Sequence, residues 1–254
     1  MLNITESRLD RGLYWTGVIH LGLSILFLIL LFIDERLVLG IPLWTKPLKF
    51  AISIMVYVFT LAYLVPYLHS STLRNWISKG TVVALFVEMG LISFQAARGT
   101  LSHYNYEDVF GIVVYSIMGV FIAFASFLLI RLGLGLLRHR PTEWTRSYHQ
   151  AVQMAIWITV FGSVIGGYMS SQKGHSVGGA DGSAGLPFLN WSLELGDWRA
   201  PHFIGLHALQ IFLILGWILR NRRSAYAWQG LGFLAYVALL VYTIILTWMG
   251  KPLI

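Results

Sequence analysis

The sequence predicts an all-α, polytopic membrane protein with seven transmembrane helices, the N-terminus cytoplasmic and the C-terminus outside. Three observations predict it. Of 254 residues, 57% are hydrophobic and only 11% charged, against about a quarter charged in soluble domains, and the mean hydropathy is +0.69. Several apolar runs reach about 20 residues, enough to cross a hydrocarbon core of roughly 30 Å. Finally, Lys and Arg concentrate in alternate connections, as cytoplasmic loops do.

The spans fall at 13–33, 47–68, 80–97, 109–131, 150–170, 201–220 and 226–249, in one transmembrane helical domain over residues 1–254. The first run is too long for a signal-peptide core and lacks a small-residue cleavage site, so it reads as a membrane helix. In the second, Pro47 suits the first turn, where its missing N–H costs nothing. Lys49, Ser53, Tyr57 and Thr60 follow at steps of three and four, on one face. They read either as a snorkelling Lys with bundle hydroxyls or as a polar stripe lining an outward cavity.

The third span carries Glu88 near its middle, with Gln95 seven residues on and on the same side. An ionised carboxylate at the bilayer centre costs about 2.5–3.5 kcal/mol on insertion scales, so a midplane Glu needs a partner or water. Gly99 can end that helix, and Asn105 or Asp108 can cap the fourth. In the fifth, Gly162, Gly166 and Gly167 give the small-residue spacing of close helix packing. Asp197 can cap a sixth helix starting near Pro201. The connection at 171–200 is long enough to be a lid or binding loop; its Leu186–Trp191 stretch is apolar and expected to fold back over the helices.

Orientation follows from Arg8, Arg11, Arg74, Lys79, Arg131, Arg138, Arg140, Arg146, Arg220, Arg222 and Arg223. They are eleven of the eighteen basic residues and share one side, which the positive-inside rule makes cytoplasmic. The first, third and fifth connections then emerge outside, and these hold Pro42–Phe50, Gln95–Asp108 (with Glu107) and the stretch from Ser170 through Asp197 to Gln210. The net charge of +7 is spread over short loops facing anionic lipid and carries no nucleic-acid signal.

With no cysteine, disulfides, thiolate zinc sites and Cys-ligated clusters are excluded. No P-loop, nucleophile elbow or dinucleotide fingerprint is present. A microbial-rhodopsin reading fails because the last span lacks a mid-membrane Lys. A ceramidase-like one lacks the His-x-x-x-His pair of the last helix.

The chemistry therefore gathers in the outer connections. His103 and His207, with Asp197 and Glu88, are the candidate catalytic groups. Lys49, Arg98, Arg199, Gln95 and Gln210 are the candidate substrate contacts, Arg being suited to bidentate carboxylate or phosphate recognition. His103, His202 and His207 are the candidate ligands of a divalent metal, with His175, Asp108, Asp181 and Asp197 as further donors. His202 and His207 lie five apart, about 140° around a helix, and cannot share one ion unaided. Haem b is the other candidate cofactor. It needs two imidazoles at similar depth, whereas His20 lies about two turns inside the inner surface and His149 at that surface. His69 and His139 read as loop residues.

The linked motifs Lys46-Pro47-Leu48-Lys49-Phe50, Gln95-Ala96-Ala97-Arg98-Gly99 with Ser102-His103-Tyr104-Asn105, Gly174-His175-Ser176-Val177-Gly178, and Gly196-Asp197-Trp198-Arg199 through His202-Phe203-Ile204-Gly205-Leu206-His207-Ala208-Leu209-Gln210 resemble an uncharacterised family of bacterial multi-pass inner-membrane proteins. The resemblance implies a bacterial inner (plasma) membrane address and no activity. From the residues, the expectation is a membrane enzyme, metal- or haem-dependent, acting at the extracytoplasmic mouth on a lipid-borne or small anionic substrate. The alternatives are a transporter or channel for a small solute or ion, whose polar lining would continue to the cytoplasmic face, and a non-catalytic membrane subunit.

Overall fold

The computed structural model describes residues 9–106, 108–182 and 185–254; Arg8 and Glu107, used in the sequence reading, lie outside the described residues. Among these there are seven helices long and apolar enough to cross a membrane: α1 (Arg11–Ile33), α2 (Thr45–Leu64, extended by a 3₁₀ turn at Val65–Tyr67), α3 (Ser71–Ala97), α4 (Val109–Arg138), α5 (Arg146–Ser171), α6 (Arg199–Leu219) and α7 (Ala225–Trp248). Large apolar side chains such as Trp15, Phe32, Val120, Ile218 and Leu234 stay exposed on the helix surfaces. Facing hydrocarbon, these side chains need no burial against other protein.

Several helices outrun the hydropathic spans. Ser70 caps α3 by accepting the Leu73 N–H at 3.2 Å, and the helix runs on through Arg74, Asn75 and Lys79. At 1.5 Å per residue its 27 residues reach about 40 Å, beyond the hydrocarbon core. Thr145 caps α5 likewise, accepting the Tyr148 N–H at 3.2 Å. Charge sets where the lipid ends, whereas caps set where the helix ends.

The chain divides into two compact units, residues 1–135 and 136–254. In the first, α1 packs against α2 and α3, and α3 meets α4 where a Cβ on Gly80 would lie 2.7 Å from Leu128 and where Trp76 packs edge-on against Phe124 at 6.0 Å. Asp10 caps α1 by accepting the Leu13 N–H at 3.0 Å and also accepts the Ser78 hydroxyl of α3 at 2.7 Å. The α1–α2 connection is a hairpin of β1 (Leu37–Val38) and β2 (Ile41–Pro42). Its two-residue turn has Leu39 and Gly40 both at positive φ, 51° and 74°, the pattern that matches strand twist in tight hairpins. Asp34 closes α1 and accepts from Arg36 and from the Trp44 indole. Those bonds hold its carboxyl well below the usual carboxylate range.

In the second unit α5 and α6 meet backbone to backbone at Gly162 and Gly205. A Cβ on Gly162 would lie 2.6 Å from the Gly205 carbonyl carbon, and one on Gly205 would lie 2.5 Å from the Gly162 Cα. The expected packing role of Gly162 is therefore seen, and Gly166 makes room for the His202 ring, 2.7 Å from its would-be Cβ. Gly167 meets nothing within 4 Å. Gly162→Val should force the helices apart and lower stability by about 1–3 kcal/mol, read as a thermal-melting shift in detergent, while Gly167→Ala should be neutral.

The long connection is folded. Strands β3 (Ser176–Val177) and β4 (Gly196–Asp197) pair antiparallel, Ser176 opposite Asp197. Gly196 lies so close to α7 that a Cβ would fall 2.3 Å from the Thr247 carbonyl oxygen. Trp191 packs edge-on against Phe203 of α6 at 5.4 Å, so the apolar stretch folds back as expected, although Phe188 remains 48% exposed.

Candidate functional site

The α3–α4 connection shapes the first group of functional side chains. Gly99, at φ 73°, ends α3, and Asp108 caps α4 by accepting the Gly111 N–H. Gln95 is fully buried and organises the loop between them. Its Nε2 donates to the Leu101 carbonyl at 3.2 Å, and its Oε1 accepts from Arg98 Nη1 at 2.9 Å and Thr100 Oγ1 at 3.3 Å. Gln95 is thus the brace that shapes the loop. Arg98, held by it, lies over the Phe110 ring with 4.6 Å to the centroid.

The braced loop sets His103 above Glu88. Its Nε2 lies 3.9 Å from Glu88 Oε1, with the imidazole side chain 23% and the carboxyl 4% exposed. That distance is too long for a direct hydrogen bond and fits a bridged or transient one. Phe50, Tyr104 and Tyr115 surround the imidazole with centroids 5.7, 6.3 and 5.6 Å away. Tyr104 adopts φ 56°, a conformation uncommon outside glycine and often found at functional positions. Ser102 Oγ lies 3.2 Å from His103 Nδ1.

The cation acting on both Glu88 and His103 is Lys46, one turn before Lys49 on α2. In the sequence reading Lys46 belongs to the first outer connection but is not among the candidate site residues; Phe50, four residues on and so on the same helix face, touches His103. Burial first, then the Lys46 ammonium, hold the His103 imidazole well below the usual histidine range, while its bond to Ser102 acts the other way. His103 is neutral near pH 7, hence available as a base.

The second group lies in the other unit. Asp197 accepts from the Ser192 N–H at 2.9 Å, the Arg199 N–H at 2.9 Å, Arg199 Nε at 3.0 Å and Arg199 Nη2 at 2.6 Å. Arg199 Nη2 also donates to the Asn190 carbonyl. His175 stands between two carboxylates, 3.3 Å from Asp181 and 3.6 Å from Asp197. Helix α6 begins at Arg199, two residues ahead of Pro201, with Trp198 and not Asp197 at its N-cap. Asp197 and Arg199 satisfy each other and fasten the loop.

His149, His202 and His207 bond to backbone carbonyls. His202 Nδ1 donates to the Gly162 carbonyl at 2.8 Å, across the α5–α6 contact. His207 Nδ1 donates to the Phe203 carbonyl at 2.8 Å, its ring stacked on Phe203 at 3.8 Å. Gln210 follows on α6, half-buried. His149 Nε2 donates to the Leu136 carbonyl at 2.8 Å. Among the described residues no three His, Asp or Glu side chains gather closely enough to hold a metal ion. The expected divalent metal on His103, His202 and His207 therefore finds no donor set, and neither it nor haem b is supported.

Fold and site together define an all-helical, multi-pass membrane protein with a buried carboxyl and a neutral imidazole facing each other in its first unit. No protein-family model, curated protein or solved structure matches the chain.

Proposed function

We propose that this chain is a multi-pass protein of the bacterial inner membrane, N-terminus cytoplasmic, with an acid–base site at the extracytoplasmic end of its first unit. The site acts on a lipid-borne or small anionic substrate. One observation carries the reading: Glu88 and His103 face each other at 3.9 Å, walled by aromatic rings, with the Lys46 charge reaching both. A neutral imidazole beside a sequestered carboxyl is the pairing that general acid–base transfer uses. Lys46 and Arg98 supply positive charge for phosphate or carboxylate on the substrate. The motif resemblance and the distribution of Arg and Lys support the membrane and the orientation.

The test is turnover. Purified protein in vesicles is incubated with a bacterial lipid extract and, separately, a small-metabolite extract, and products are compared by mass spectrometry. The expected result is an anionic species that wild type converts and that protein-free vesicles and His103→Ala leave unchanged. Profiles identical across all three samples would overturn the reading.

A further inference from the structure

The first unit holds more buried polar chemistry than its outer site uses. His20 of α1 is wholly buried; its Nδ1–H donates to the Thr16 carbonyl at 2.8 Å, because a carbonyl can only accept. The opposite nitrogen, Nε2, is then a lone-pair acceptor in the neutral ring. It is buried without a hydrogen-bond partner among the described residues, as are Glu88 Oε2 and Thr81 Oγ1. Glu88 is 3% and Thr81 0% exposed. Each such orphan costs about 1–3 kcal/mol, and internal water is what usually bonds to buried groups of this kind.

The helix register brings them together. Asp10 of α1 bonds Ser78 of α3 at 2.7 Å, and the His20 ring lies 5.3 Å from the Phe86 ring, so α1 and α3 run parallel. Ten residues on from Asp10 is His20, and ten on from Ser78 is Glu88, which sets the imidazole and carboxyl at one depth. On α3, Ser78, Thr81 and Glu88 follow at steps of three and seven along one buried face.

We infer that these groups form a proton path through the first unit, from Asp10 and Ser78 past Thr81, His20 and Glu88 to His103. One proton moves per hop and no electrons do. A proton entering beside Thr81 travels along internal water over the roughly 10 Å rise of seven residues to His20 Nε2, whose ring keeps its Nδ1–H on Thr16. The imidazolium returns that Nε2 proton to the Glu88 carboxylate. Glu88 gives it to His103 Nε2, whose ring is 23% exposed and releases it outside. The inference supplies protons to the outer site and rests on the functional reading above only for His103 as the outer terminus.

The test is voltage-driven proton uptake. Protein is reconstituted into vesicles containing a trapped pH dye, and a potassium gradient with valinomycin sets the potential. Wild type should acidify the lumen faster than protein-free vesicles. Glu88→Gln and His20→Phe should fall to the protein-free leak, and Glu88→Asp, which keeps the carboxyl, should retain flux. Thr81→Val keeps side-chain shape and should also lose flux, which guards against a failure to fold in the other variants. Wild-type flux equal to the leak, or undiminished flux in folded Glu88→Gln and Thr81→Val, would overturn the path. Substrate conversion without flux sinks this inference alone; flux without conversion sinks the enzyme reading alone.

Discussion

Asp197→Ala is expected to open the 171–200 loop and to be among the most destabilising single substitutions in the second unit. The carboxyl is 5% exposed and accepts from two backbone N–H groups and from the Arg199 guanidinium. Removing it strands the Ser192 N–H and takes the acceptor from a guanidinium that is 28% exposed, at about 1–3 kcal/mol for each group left unsatisfied out of water. The loop has little apolar burial to offset that loss. The measurement is limited proteolysis in detergent: cleavage between residues 171 and 200 should appear in Asp197→Ala under conditions where wild type is intact. Unchanged cleavage would show that the β3–β4 pairing holds the loop without the carboxylate.

The same residue gives the loop a pH limit. Burial alone would raise its pKa, but Arg199, the Ser192 N–H and His175 together outweigh burial and leave it lowered. A carboxyl depressed on folding contributes its full stability above its unfolded value of about 3.9 and loses it as pH falls through the folded value. Protease sensitivity of the wild-type loop should therefore emerge only below about pH 4.

These properties were unevenly legible in the sequence. The seven helices were, because runs of lipid-soluble side chains have a length scale set by the bilayer. The start of α3 was not: Arg74, Asn75 and Lys79 break the hydropathy without breaking the helix, which Ser70 had already capped. Glu88 and His103 could be singled out as costly or unusual, but their separation depends on how Gln95 braces the loop, a tertiary matter. Asp197 and Arg199, two residues apart, had a short-range partner in each other that a search for substrate contacts overlooked. His20 was weighed without its register to Glu88, which follows from the Asp10–Ser78 bond and which no single helix pattern reveals.

His103→Ala should lower turnover by about 10²–10⁴, the usual worth of a positioned acid–base group, and the pH profile separates a base from a structural imidazole. With its pKa held well below the usual histidine value of about 6.5, the wild-type imidazole stays neutral through mildly acid pH. kcat/KM should therefore stay level as pH falls through 6.5 and decline only at lower pH. The acid limb follows the folded-state value: stability from the neutral ring is present above the unfolded value of about 6.5 and shrinks as pH drops further, because the unfolded chain then binds the extra proton. Lys46→Met removes one of the two causes holding the pKa down, burial being the larger. Its acid limb should shift to higher pH while the alkaline plateau keeps the base in place. An acid limb that stayed put in Lys46→Met, or that ran through an ordinary histidine value in wild type, would show that the titrating group is not His103 under the charge of Lys46.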